Sequence, residues 1–327
     1  MFTRLFKENQ PIAAALAVIL SVFLWWQGYR SPQAIDSNNL MPLADLVQFI
    51  INKQHLLSLI LGLVFTLING FLLNGLISRF EIFPVKNYFP LLFYTLYMSG
   101  FETQLFPHPI LFAHTCILLG LFRIAQSNRM DEALGKYFEA GSLFSLASLF
   151  YFPSILLYPT VWVALIVIRP FVWREWLTSM MGMLLPYLFV FTWYFWFDGV
   201  NLFVFGKIFY PSQDFVPNPS AWSGFTTSSV IAWSIITALS LWLLLARGWP
   251  LNTILSKNML VVFIWLLLLT TLAFLMAPAY EILYFSLIAL PLSVIISNYF
   301  VQLKWGFWAD WLLLSLISVI VIDALNN

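Results

Sequence analysis

The chain has 327 residues, of which 61% are hydrophobic, 19% aromatic and only 9% charged. Soluble domains carry about a quarter charged residues, so a water-facing globule is excluded and an all-α, polytopic bundle of transmembrane helices is expected. Fifteen Lys and Arg against fourteen Asp and Glu, with no basic run, leave no electrostatic footprint for nucleic acid, and one cysteine, Cys116, excludes a disulfide framework, a zinc finger or an iron–sulfur cluster.

Eleven apolar segments follow in chain order, at roughly 11–28, 55–77, 87–100, 110–124, 138–150, 154–168, 176–197, 228–246, 258–277, 282–299 and 306–323. They predict a single transmembrane domain over residues 1–327. The first has basic flanks and no small-residue cleavage site, and is expected to stay as a retained helix. The third to the sixth have only about 14 or 15 residues, where about 20 are needed to cross a bilayer. Such short central helices need neighbours, local thinning or a water-filled cavity to cover their ends.

Lys and Arg set the orientation. With the N terminus inside, Arg4, Lys7, Arg79, Lys86, Arg123, Arg129, Lys136, Arg169, Arg174, Arg247, Lys257 and Lys304 fall on the cytoplasmic side. Only Arg30, Lys53 and Lys207 fall outside, and the C terminus follows Asp323 on the outer face. The inner acids, Glu175 among them, read as loop charges balancing these bases. No span carries an acid near its middle, and His114, inside the fourth segment, reads as a packing residue. A proton- or ion-coupled pump is therefore not expected.

The outer connections hold the candidate chemistry. The first, roughly 29–54, has polar turn residues and then an amphipathic stretch from Leu40 to Ile51 that predicts a helix lying in the interface. Asp36 and Asp45 are its carboxylates. The second, GFETQLFPHPILFAH, places Glu102 among aromatics and prolines with His108 six residues on. A carboxylate buried there would have a raised pKa and could act as a base or ligand. The third, roughly 198–227, is rich in aromatics, Pro, Gly and Ser and carries Lys207. Glu102, Asp45 and Asp36 are the candidate catalytic residues. His108, Arg30, Lys53 and Lys207 are the candidate substrate-binding residues, with no metal or cofactor expected. Glu281 reads as a helix cap.

Three elements carry a resemblance: Glu102 to Pro109, the run AGSLFSLASLFYFPS at 140–154, and RPFVWREW at 169–176. The central quarter of the chain resembles a family of bacterial polytopic inner-membrane proteins, some of which carry a carotene-monooxygenase label. Three scattered histidines do not supply the four-histidine iron site such oxygenases use. More distantly, the stretch resembles the C-type (GT-C) membrane glycosyltransferases. Pro109, the basic loop Arg123–Lys136, Ala140–Gly141, Ser145–Ala147 and the kink at Tyr151–Ser154 match their cadence. That likeness implies a catalytic acid in the first outer loop, where Asp36 or Asp45 stands. The chain departs from the pattern in having no Asp-Glu pair there, Phe152 or Pro153 where a basic residue is usual, and no large soluble C-terminal domain.

The expectation is an inner-membrane, GT-C-like glycosyltransferase using a polyprenyl-phosphate-linked sugar in envelope glycan or glycoprotein assembly. An outer carboxylate would deprotonate the acceptor and a base would stabilise the departing phosphate. The alternatives are a non-enzymatic scaffold or accessory of an envelope assembly or secretion system, and a lipid or glycan flippase. The partners implied are membrane lipid and the lipid-linked sugar.

Overall fold

A computed structural model describes residues 2–8, 10–26, 41–44, 47, 55–101, 105, 107–197, 224–247, 253–275, 285–303 and 306–326. Among them are twelve α-helices and no strand. They are α1 (Phe2–Lys7), α2 (Pro11–Trp25), α3 (His55–Arg79), α4 (Phe89–Ser99), α5 (Pro109–Gln126) and α6 (Leu134–Phe150). A 3-10 segment, Phe152–Leu157, leads into α7 (Pro159–Ile168), followed by α8 (Trp173–Phe197), α9 (Gly224–Arg247) and α10 (Ile254–Leu275). A 3-10 turn, Ser286–Ile288, opens α11 (Ala289–Gln302), and α12 (Gly306–Asn326) closes the chain. Each of the eleven apolar segments overlaps one of these helices.

Among the described residues, four helices are long and apolar enough to cross a membrane: Leu56–Arg79, Pro109–Gln126, Trp173–Trp196 and Ile254–Leu275. One of them corrects the sequence reading. The fourth segment was expected to be short, but α5 runs 18 residues. Pro109 opens it with a preset φ, and Arg123 sits in its last turn, where it pairs with Glu139 of α6 at 2.7 Å.

The short helices are central. All 11 residues of α4 are buried, and α11 buries all but Tyr299 and Gln302. Phe89 and Phe93 of α4 lie 5.7 and 5.0 Å from the Phe300 ring of α11. At about 1.5 Å per residue, α4 rises only ~16 Å, roughly half a hydrocarbon core of ~30 Å. It is apolar on all sides because helices surround it: α2 and α3 pack on α4, and α9 and α10 pack on α11.

The tightest pairing is α6 with α8. A Cβ on Gly141 would overlap the Ser179 carbonyl oxygen, and one on Gly182 would overlap the Phe138 carbonyl oxygen. Small residues let the two backbones touch, which is how helices gain contact where lipid removes the hydrophobic drive. Ser148 and Tyr187 close the seam with a 2.6 Å hydroxyl pair.

Helix ends gather into two groups. At one end, Tyr88 N–H donates to Phe6 O, Ser256 Oγ to Glu81 O, Asn258 Nδ2 to Val167 O, and Thr3 to Asp310. At the other, Trp25 Nε1 donates to Ser99 Oγ and Tyr97 OH to Phe285 O. Arg79, Lys86, Arg123, Lys136, Arg169, Arg174 and Lys257 all lie at the first, basic end.

Candidate functional site

Of the seven residues that the sequence singles out, His108 is described; Glu102, Asp36, Asp45, Arg30, Lys53 and Lys207 lie outside the described residues. Their described neighbours still carry information. In the connection between α4 and α5, Phe101, Leu105, Pro107 and His108 are buried. These four residues pack into the bundle at the end opposite the basic one. Gly62 of α3 makes room for them, since a Cβ there would sit 2.6 Å from the Trp25 ring and 3.0 Å from Pro107 N.

Burial drives the His108 pKa down to about 3, because the charged imidazolium loses its hydration. The side chain is therefore neutral near pH 7. It supplies no positive charge at that pH.

The first outer loop is anchored nearby. Residues 42–44 and 47 are helical, as the amphipathic stretch predicts. Met41 and Ala44 are buried against Leu149 of α6, with Phe152, Tyr187 and Val190 packed around them. One helical turn beyond His108, Phe112 stacks on Phe150 at 5.5 Å and lies 4.3 Å from Phe65. Residues 41–44 of one acid-bearing connection and Phe112, in the first turn of the helix that follows the other, thus pack on adjacent residues, Leu149 and Phe150, at the end of α6.

Beneath this end of α6 runs a polar network that the sequence reading missed. Asn69 of α3 donates through Nδ2 to Leu111 O at 2.8 Å, and its Oδ1 accepts from Thr115 Oγ1 at 2.8 Å. Tyr94 of α4 bonds His114 Nδ1 of α5 at 3.0 Å, with the rings edge to face. Asn69, Tyr94 and His114 are fully buried. His114 is therefore a packing residue on one side, as expected, but its Nε2 has no hydrogen-bond partner among the described residues. Such an atom costs about 1–3 kcal/mol unless something satisfies it. The available sequence signal was weak: an Asn inside a long apolar helix.

Glu175 requires a correction. It was read as a loop charge, yet it is buried and pairs with Arg169 at 3.1 Å, their side chains 2% and 8% exposed. The Arg169 guanidinium also donates to the carbonyls of Ser127, Met130 and Asp131, and Glu175 accepts the Ala133 N–H. The RPFVWREW motif is a staple for the loop between α5 and α6. A fork of five donors bonded to three carbonyls needs an arginine.

Among the described residues no group of three or more His, Cys, Asp or Glu is placed to hold a metal ion. No family model, curated protein or solved structure matches the chain. Its class rests on physical grounds: among the described residues it is all-helical, with four helices long and apolar enough to cross a membrane.

Proposed function

We propose that this is a multi-pass protein of the bacterial inner membrane, with about eleven passes and its basic end in the cytoplasm. The bases gathered at one end support the orientation. The exposed rings of α8 support the embedding: Trp173 opens the helix and Trp193 stands about one turn before its end, twenty residues on. That spacing is about 30 Å of helix, the thickness of the hydrocarbon core that interfacial tryptophans border.

Within that frame the protein acts as a GT-C-like glycosyltransferase on a polyprenyl-phosphate-linked sugar, with its site at the outer end. The observation that carries this reading is the packing of residues flanking both acid-bearing loops on Leu149 and Phe150. Acid–base work needs its groups within reach of one substrate, and packing of both loop flanks at the end of α6 supports that reading. Glu102 serves as base toward the acceptor hydroxyl, Asp45 or Asp36 orients the acceptor, and Arg30, Lys53 or Lys207 meets the departing phosphate. The test is Glu102→Gln and Asp45→Asn in the native host, with lipid-linked sugars profiled. Accumulation of one donor at normal protein level is expected; unchanged pools in both variants would remove the transferase.

One observation favours the accessory reading. The spanning window of α8 is only 17% buried, and its exposed Leu184, Leu188, Phe191 and Phe195 form a broad apolar face. A partner helix could cover this face as well as lipid. Cross-linking from Leu188→Cys to one defined protein, with the acid variants functional, would favour that reading over catalysis.

A further inference from the structure

At the basic end, the turn between α3 and α4 encloses a cleft of about 190 Å³ lined by Ser78, Glu81, Val85, Lys86 and Asn87, among others. Two backbone-anchored contacts bring further cations beside it. Ser256 Oγ donates to Glu81 O at 2.7 Å, which sets Lys257 next to the turn. Tyr88 N–H donates to Phe6 O at 3.0 Å, which does the same for Lys7. Arg79 is exposed at the last turn of α3. Neither these four cations nor Glu81 forms an ion pair among the described residues. Glu81 is the single opposing carboxylate in the lining, and Glu8, beside Lys7, is taken by Arg4.

The cleft also has an apolar approach. Ile60, Val64, Ile68 and Phe71 of α3 are all exposed and spaced by three or four residues, so they form one stripe along the helix. Continuing the same spacing gives Gly75 and then Ser78, on the cleft wall. Gly75 is open: a Cβ there would meet only the tip of Phe122, at 4.0 Å. A smooth apolar track thus ends at a hydroxyl, an exposed lysine and three further cations.

We infer that this cleft binds the phosphate headgroup of an anionic phospholipid, whose acyl chain lies along the α3 stripe past Gly75. Lys86 and Ser78 contact the phosphate, while Arg79, Lys257 and Lys7 raise the local potential. Each cation at a membrane surface adds about 1 kcal/mol of attraction to anionic lipid. The inference depends on membrane embedding and not on glycosyl transfer.

The experiment uses full-length protein in nanodiscs of phosphatidylcholine doped with phosphatidylglycerol, released into detergent and weighed by native mass spectrometry. The wild type is expected to retain phosphatidylglycerol in preference to phosphatidylcholine. K86Q should reduce that retention about fivefold, K86R should restore it, and Gly75→Trp should reduce it by blocking the track while leaving Lys86 in place. Thermal unfolding in detergent verifies that each variant is folded. Equal retention of both lipids, or retention indifferent to K86Q and Gly75→Trp, would overturn the site. Competition by inorganic phosphate, with Gly75→Trp silent, would make it a free-phosphate site and overturn the lipid. Failure of the protein to partition into nanodiscs would instead overturn the membrane reading.

Discussion

The two ends of the bundle are held by different physics. The basic end is fastened by named polar bonds: the Arg169–Glu175 pair, the carbonyls gathered by Arg169, Asn258 on Val167 O, and Ser256 on Glu81 O. The opposite end is held by ring packing and single hydroxyls, such as Trp25 on Ser99 and Phe112 on Phe150. All the candidate catalytic loops emerge from this second end. Directional bonds fix the hairpins at one side, and ring packing with a few hydroxyl bonds holds the other.

The sharpest way to break this comparison is at the staple. Arg169→Ala leaves Glu175 buried without its cation and should cost about 3–5 kcal/mol. Denaturant unfolding in detergent measures it, with limited proteolysis expected within 127–133. Arg169→Lys should recover only part, because one ammonium cannot serve three carbonyls.

Next in size is the α6–α8 seam, which joins both ends. Gly182→Ala forces a methyl into the Phe138 carbonyl and should cost about 1–3 kcal/mol by overpacking. Gly135→Ala is the control, since nothing lies within 4 Å of its added Cβ. It should be neutral or gain up to about 1 kcal/mol of helix propensity.

The loop-bearing end has its own signature in pH. His108 is held neutral, with a folded pKa of about 3 against an ordinary 6.5. Between these values the unfolded chain binds the proton and the folded one does not, so stability is intact above about pH 6.5 and falls as pH drops toward 3. The slope is at most about 1.4 kcal/mol per pH unit. His108→Gln should flatten that part of the curve in thermal melts from pH 7 to 4, whereas Trp25→Phe, which removes no titrating group, should not.

The smallest effect is at Trp25. Trp25→Phe removes the donor to Ser99 Oγ and should cost about 1 kcal/mol. A loss comparable with that of Arg169→Ala would show that the second end is as rigidly fastened as the first.

Composition and the length of the apolar runs determined the helical class and the apolar segments, because long unbroken apolar runs suit helices and not the short alternating strands of a closed barrel. Lys and Arg positions also marked the basic end, which the contacts gather into one place. Of the amphipathic stretch expected over Leu40 to Ile51, residues 42–44 and 47 are helical, since helical spacing is local. Tertiary structure decided what no local pattern records. It made α4 and α11 the core and α8 the rim, although all three read as apolar, because hydropathy reports a dislike of water and not which neighbour replaces it. It turned Glu175 from a loop charge into a buried pair, since burial depends on a loop far away in sequence. It also joined Asn69, Tyr94 and His114 across three helices, and packed the flanks of two distant loops on Leu149 and Phe150, because contact between helices depends on packing that only the folded chain possesses.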